Sequence, residues 1–253
     1  MRSVLAAALL SGIAATASGQ TRGAELVREQ KPVYPDNLNK ASRQGNVVLI
    51  GRIDRNGAVQ DVRAVWTTHE QLVEPTMTAV KAWVFRPALK DGKPVEIAAN
   101  IVFPFRIRDD KGKVVGMAIP GPALSALAIF PADAGGRRSA PEGFPVRAGT
   151  DPRVRVEASL DVPAFPRERR LTVRVEAVSP SGRRLPVFED TLTIAAKETD
   201  AKLKPFSAPV GRDWEDGIWM LRFKADKSVA GTGQFWLARD PDRFDFAAAL
   251  RRK

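Results

Sequence analysis

The chain has 253 residues, of which 44% are hydrophobic and 27% charged, a globular composition with length enough for one large domain or two ordinary ones. It has no cysteine, which excludes thiol catalysis, redox chemistry and disulfide stapling, and one histidine, His69, which excludes a His-based metal site or triad. The formal charge of +11 is spread evenly, with no basic run longer than a triplet such as Arg251-Arg252-Lys253. That spacing argues against nucleic acid as a partner and leaves only a weak attraction to anionic surfaces.

Residues 1–19 read as a secretory signal peptide: Arg2 is the only charge, 4–10 is apolar, and Ala15, Ala17 and Gly19 offer small residues for cleavage. The alternative, a retained anchor, needs ~20 apolar residues. Ser11, Gly12, Thr16 and Ser18 interrupt this segment too early. The apolar stretch 114–131 is likewise broken by Gly116, Pro120, Gly121 and Pro122. A soluble, periplasmic mature protein is expected, touching a membrane only if the N-terminal segment is kept.

The first folded unit is expected over 30–108. After Tyr34-Pro35, Asp36 can cap a short helix over 37–43 that Gly45 ends in the left-handed conformation. Strands over 47–53 and 59–66 flank Asn56-Gly57, the sequence signature of a type I′ hairpin. Thr67 with Glu70 has the capping-box spacing, and Pro75 places the main helix at 75–83. Arg86-Pro87 ends that helix and residues 90–93 turn the chain. Val95, Ile97, Ala99, Ile101, Phe103 and Phe105 then alternate as the core face of a last strand. Pro104 has no amide to donate, which puts it at a strand end or on an edge.

In order and spacing, Tyr34-Pro35, the Gly45-Asn46-Val47 strand start, the Asp54 to Gly57 hairpin, Ala79-Val80, Trp83-Val84-Phe85-Arg86-Pro87 and the aromatic last strand resemble the TonB C-terminal domain family. The resemblance implies a ββαβ domain in which Tyr34, Pro35, Gly45, Gly57, Trp83, Phe85 and Pro87 make the fold. It also implies that the last strand, here Ala98, Ala99, Asn100, Ile101, Val102 and Phe103, captures an extended segment of an envelope protein by strand addition. In that family the partner is an outer-membrane transporter. This chain differs from the family's energy transducers in lacking a long Pro-rich spacer and in carrying a second domain.

Residues 109–150, rich in Pro, Gly and Ala, read as a linker. From 151 to 240, short alternating runs at 153–161, 170–178, 185–194, 218–224 and 234–238 read as an immunoglobulin-like β-sandwich, and 241–253 as a basic tail. The whole is therefore α+β: a TonB-C-like domain followed by an all-β sandwich. Trp214, Trp219, Phe223, Phe235 and Trp236 are core residues or, in the competing reading, a sugar platform. The acidic pairs Asp109-Asp110, Glu189-Asp190 and Glu215-Asp216 are sequence neighbours, which places them on opposite strand faces or in turns, and Gly231-Thr232-Gly233 is too short for a phosphate loop.

No catalytic, metal-binding or cofactor-binding constellation emerges. The expected function is non-catalytic binding of an extended peptide or envelope protein by strand addition. The alternatives are a divergent, membrane-anchored energy transducer for outer-membrane transport and a cryptic hydrolase or sugar-binding protein built on the sandwich.

Overall fold

A computed structural model describes residues 21–113, 115, 121–143, 145–147, 151–240, 245 and 248. The expected signal peptide, and the expected basic tail apart from residues 245 and 248, lie outside the described residues. The protein is mostly β-strand with few helices. No helix among the described residues is long and apolar enough to cross a membrane.

The Tyr34-Pro35 pair leads into α1 (Asp36–Lys40). Pro35 itself is the N-cap, with φ −59° and no side-chain cap bond; Asp36, expected to cap, sits in the first turn. The positive φ after this helix falls on Ser42, not on Gly45. Gly45 instead opens β1 (Gly45–Ile53), where a Cβ would stand 2.8 Å from Leu72 Cδ1 and Thr68 Oγ1. Its smallness serves packing, not backbone handedness.

β1 turns into β2 (Val59–Thr67) through a wider loop than the expected type I′ turn, since Gly57 has a positive φ (84°) and Asn56 does not. Asp54 anchors the loop: its Oδ1 accepts the amides of Asn56 at 2.8 Å and Ala58 at 2.9 Å. β2 is bulged twice against β1, with Asp61 at φ 51°, which explains its imperfect alternation.

The expected capping box does not form, because the Thr67 hydroxyl bonds with His69, accepting its amide and donating to its carbonyl. A single 3-10 turn, Glu70–Leu72, precedes α2 (Val73–Lys81), whose first turn contains Pro75 where no amide partner is needed. Past Trp83, residues read as a helix end form strand Val84–Arg86, paired with Glu25–Arg28. A small sheet of Thr21–Arg22, Ala88–Lys90 and Lys93–Val95 follows. Then β3 (Ile97–Phe105) pairs antiparallel with β1 in unbroken register from Ile97 opposite Ile53 to Phe105 opposite Gly45. The sheet order is β2-β1-β3. Its odd-numbered face, Val47, Leu49, Ile97, Ala99, Ile101, Phe103 and Phe105, closes on Leu72, Val80 and Trp83.

The second unit starts earlier than expected. β4 (Ala123–Ala132) lies inside the presumed linker and pairs along β5 (Arg153–Asp161) from end to end. It escaped detection because it is buried on both faces and so lacks period-two alternation, and because Pro and Gly surround it. The far side of β5 is shared by Phe206–Pro209 and Asp200–Lys202. The opposing sheet contains β6 (Arg169–Val178), β7 (Arg184–Ile194), β8 (Gly217–Ala225) and β9 (Ser228–Ala238) in the order β9-β8-β6-β7. The two-residue strand Val146–Arg147 runs parallel beside the end of β9.

The alternating faces Val154, Val156, Ala158, Leu160 and Leu171, Val173, Val175, Ala177 meet in the core with Trp219, Phe223 and Phe235. Trp214 stacks on Trp219 at 4.0 Å between ring centroids. All five cluster aromatics are buried, so they form core and not a sugar platform. Gly231 and Gly233 let the sheets close: a Cβ on either would stand 2.6 Å from Leu124 Cβ or 2.0 Å from Leu127 Cδ2.

Candidate functional site

The even-numbered face of β1 and β3 is covered by the sandwich, as are Val65 and Trp66 of β2. Val48 and Val102 pack on the sandwich core, while Ile50 and Ala98 surround Trp236. The sheet therefore lies across the side of the sandwich where, among the described residues, β4 and β9 have no full-length neighbour strand. Two buried asparagines finish those raw edges. Asn100 on β3, 8% exposed, grips Gln234 on β9 at two points: its Nδ2 donates to the Gln234 carbonyl at 2.7 Å and its Oδ1 accepts the Gln234 amide at 2.8 Å. A side-chain amide thus stands where a neighbouring strand would pair. Asn46 on β1, 0% exposed, does the same for β4, donating to the Leu124 carbonyl at 2.8 Å. Arg63 donates to Gln234 Oε1 at 2.9 Å, Thr232 Oγ1 to the Val65 carbonyl at 3.2 Å, and Arg106 pairs with Asp161. Burial pulls the Arg106 guanidinium down to about 10, so it still carries its charge at neutral pH.

The six residues expected to bind a partner share one strand, which among the described residues is a sheet edge. The side chains of Ala99, Ile101 and Phe103 belong to the core beneath the sheet and those of Ala98, Asn100 and Val102 face the sandwich, so a guest strand would meet main chain and find no side-chain pockets. The Ala98 amide donates outward, to the Gly143 carbonyl at 3.1 Å. Alternation then directs the main-chain groups of Asn100 and Val102 outward as well, and puts Pro104, with no amide, on the same row. Val102 and Pro104 are half-buried, whereas Ala98 and Asn100 are buried. The opposite edge, β2, is broken by its two bulges. Beside it an open hollow of about 360 Å³ is lined by Ala64, Val65, Trp66, Thr67, Glu70 and Val73, with one carboxylate and no catalytic set.

The fold-making positions each have a visible task. Tyr34 stands edge-on to Phe105 at 5.1 Å and donates its hydroxyl to the Arg43 carbonyl. Trp83 packs near Phe85 and Phe103 and donates Nε1–H to the Gln30 carbonyl at 2.8 Å. Pro87 separates two short strands. Gly57 lies against the Phe85 carbonyl, where a Cβ would be at 1.7 Å. The residues sequence reading missed are Asn46, Gln234 and Gly143, whose roles depend on contacts between distant segments and leave no local signal. Among the described residues no group of three or more His, Asp or Glu gathers to hold a metal ion.

Residues 30–107 match the family model described as Gram-negative bacterial TonB protein C-terminal. This segment is a TonB C-terminal domain, and the unit after it is unassigned. No curated protein sequence matches the chain. Among solved structures, the chain is similar to Pseudomonas fluorescens alkylpurine DNA glycosylase AlkC bound to DNA containing an abasic site analog, at 13% identity and TM-score 0.35 over 48% of this chain and 31% of that one. It is also similar to a calcium-binding mutant of Bacteroides uniformis beta-glucuronidase 2, at 12% identity and TM-score 0.31 over 87% of this chain and 26% of that one. The chain thus spans about a quarter to a third of the length of these structures.

Proposed function

We propose that this is a periplasmic, non-catalytic TonB-like protein that captures an extended segment of an envelope protein, an outer-membrane transporter among the candidates, by strand addition to β3. In this reading a ββαβ TonB-type domain presents the edge and an immunoglobulin-like sandwich supports it. The observation that carries the proposal is that β3 is an edge strand with no bulge, its outward main-chain row running Ala98, Asn100, Val102, Pro104. The match of residues 30–107 to the TonB C-terminal model supports an envelope setting.

Because Val102 turns its amide away from β1, Val102→Pro removes one guest-side donor without cutting the β1–β3 ladder. Affinity capture from Gram-negative envelope extracts, with V102P as control, is expected to lose its specific partner while the variant keeps its thermal transition. Equal capture by both proteins would refute the edge as the binding surface.

A further inference from the structure

We propose that the segment 138–143 is an intrinsic plug of the guest edge, which must swing away from β3 before an extended peptide can pair along it from Ala98 to Val102. This inference rests on the edge-binding reading above. Its basis is the position of Gly143, whose carbonyl accepts the Ala98 amide at 3.1 Å while its own amide donates to the Ile129 carbonyl of β4 at 3.1 Å. A single residue thus bridges two strand edges with its main chain, as a guest strand would. The fit depends on glycine: φ is 70°, and a Cβ would stand 1.1 Å from the Ala98 carbonyl oxygen.

The plug has no continuous ladder: Ala140 packs into the core of the first domain and Pro141 is buried, and the remaining hold is scattered polar tethers. The Ser139 amide donates to the Pro131 carbonyl at 2.9 Å and its hydroxyl to Asp151 Oδ1 at 2.8 Å. Arg138 donates to Glu157 at 2.6 Å and lies 3.8 Å above the Phe130 ring. One isolated bridge joins Ala132 and Arg138. The other side of β3, by contrast, is paired with β1 at nine consecutive positions. A segment joined to β3 through one residue, with no ladder, opens locally before the nine-position β1–β3 pairing does. The half-buried end at Val102 and Pro104 gives an arriving peptide a foothold from which to displace Gly143 by pairing residue after residue.

The test combines amide hydrogen exchange by NMR on the full chain with anisotropy of a labelled nonapeptide, GNVVLIGRI, which copies β1, the antiparallel partner that β3 already accepts. In the wild-type protein the Ala98 amide should exchange at least ten-fold faster than those of Ala99 and Ile101. Arg138→Ala, which cuts a tether without a steric clash, and Gly143→Ala, which overlaps Ala98, should each speed Ala98 a further ten-fold and leave Ala99 unchanged. R138A should also bind the peptide at least ten-fold more tightly than wild type. Ala98 exchanging in step with Ala99 in every variant would overturn the plug. So would unchanged peptide affinity in R138A while V102P abolishes binding. Peptide binding that ignores both R138A and V102P, with Ala98 freed as expected, would instead fail the edge reading beneath it.

Discussion

Replacing Asn100 by alanine tests the way the two units are joined. The side chain makes two buried hydrogen bonds to one residue of β9, so its removal strands both the amide and the carbonyl of Gln234 away from water. Each orphaned buried group costs about 1–3 kcal/mol. Thr232 and Arg63 remain nearby but are engaged with the Val65 carbonyl and the Gln234 side chain, so they do not replace the lost partners. The expected loss is about 3 kcal/mol, which for a chain of this size lowers the melting temperature by roughly 6–12 °C. Guanidinium denaturation followed by Trp fluorescence, with calorimetry alongside, measures it. Cooperativity is the second readout: a weakened junction should split one transition into two as the units begin to unfold separately. A loss below about 0.5 kcal/mol with a single transition would refute the view that Asn100 serves as a surrogate strand neighbour.

Two further outcomes follow from single residues. Burial pushes the Glu142 carboxyl up to about 8, with Arg138 opposing and Glu157 adding to the rise, so the folded protein holds a proton that the unfolded chain, near its ordinary 4.5, releases. Stability from this group is complete below about pH 4.5 and is lost as the pH climbs through 8; Glu142→Gln should flatten the fall in melting temperature across that window, and an unchanged slope would exclude Glu142 as its source. Gly57→Ala places a Cβ 1.7 Å from the Phe85 carbonyl at a positive φ, so the hairpin loop must part from strand Val84–Arg86 at a cost of at least ~2 kcal/mol, measured by chemical denaturation; a near-neutral result would show that the loop yields freely.

The parts of this fold that were legible in the sequence are those governed by local rules. The alternation from Val95 to Phe105 defines β3 and its core face because a half-buried strand must repeat every two residues, and the runs at 153–161 and 170–178 are legible for the same reason. Trp83, Phe85 and Tyr34 mark the first domain because large aromatics in fixed order fill one core. β4 was illegible because both of its faces are covered, which removes the alternation that reveals a strand. The Asn56-Gly57 turn and the Thr67-Glu70 cap were misassigned for another reason: Asp54 and His69 offered competing local bonds that a dipeptide rule does not weigh. The candidate edge itself was found, and its occupation was not. Asn100, Gly143 and Gln234 lie in three separate stretches of chain, and only folding brings them together.

The asparagine pair also restricts where this polypeptide can be cut. A fragment beginning after residue 108 would display the Leu124 and Gln234 main chains bare on neighbouring sheets, inviting sticky self-association between copies. Engineers wishing to transplant the sandwich would need to carry a substitute cover for both strands, or redesign them with charge, before expecting a well-behaved monomer.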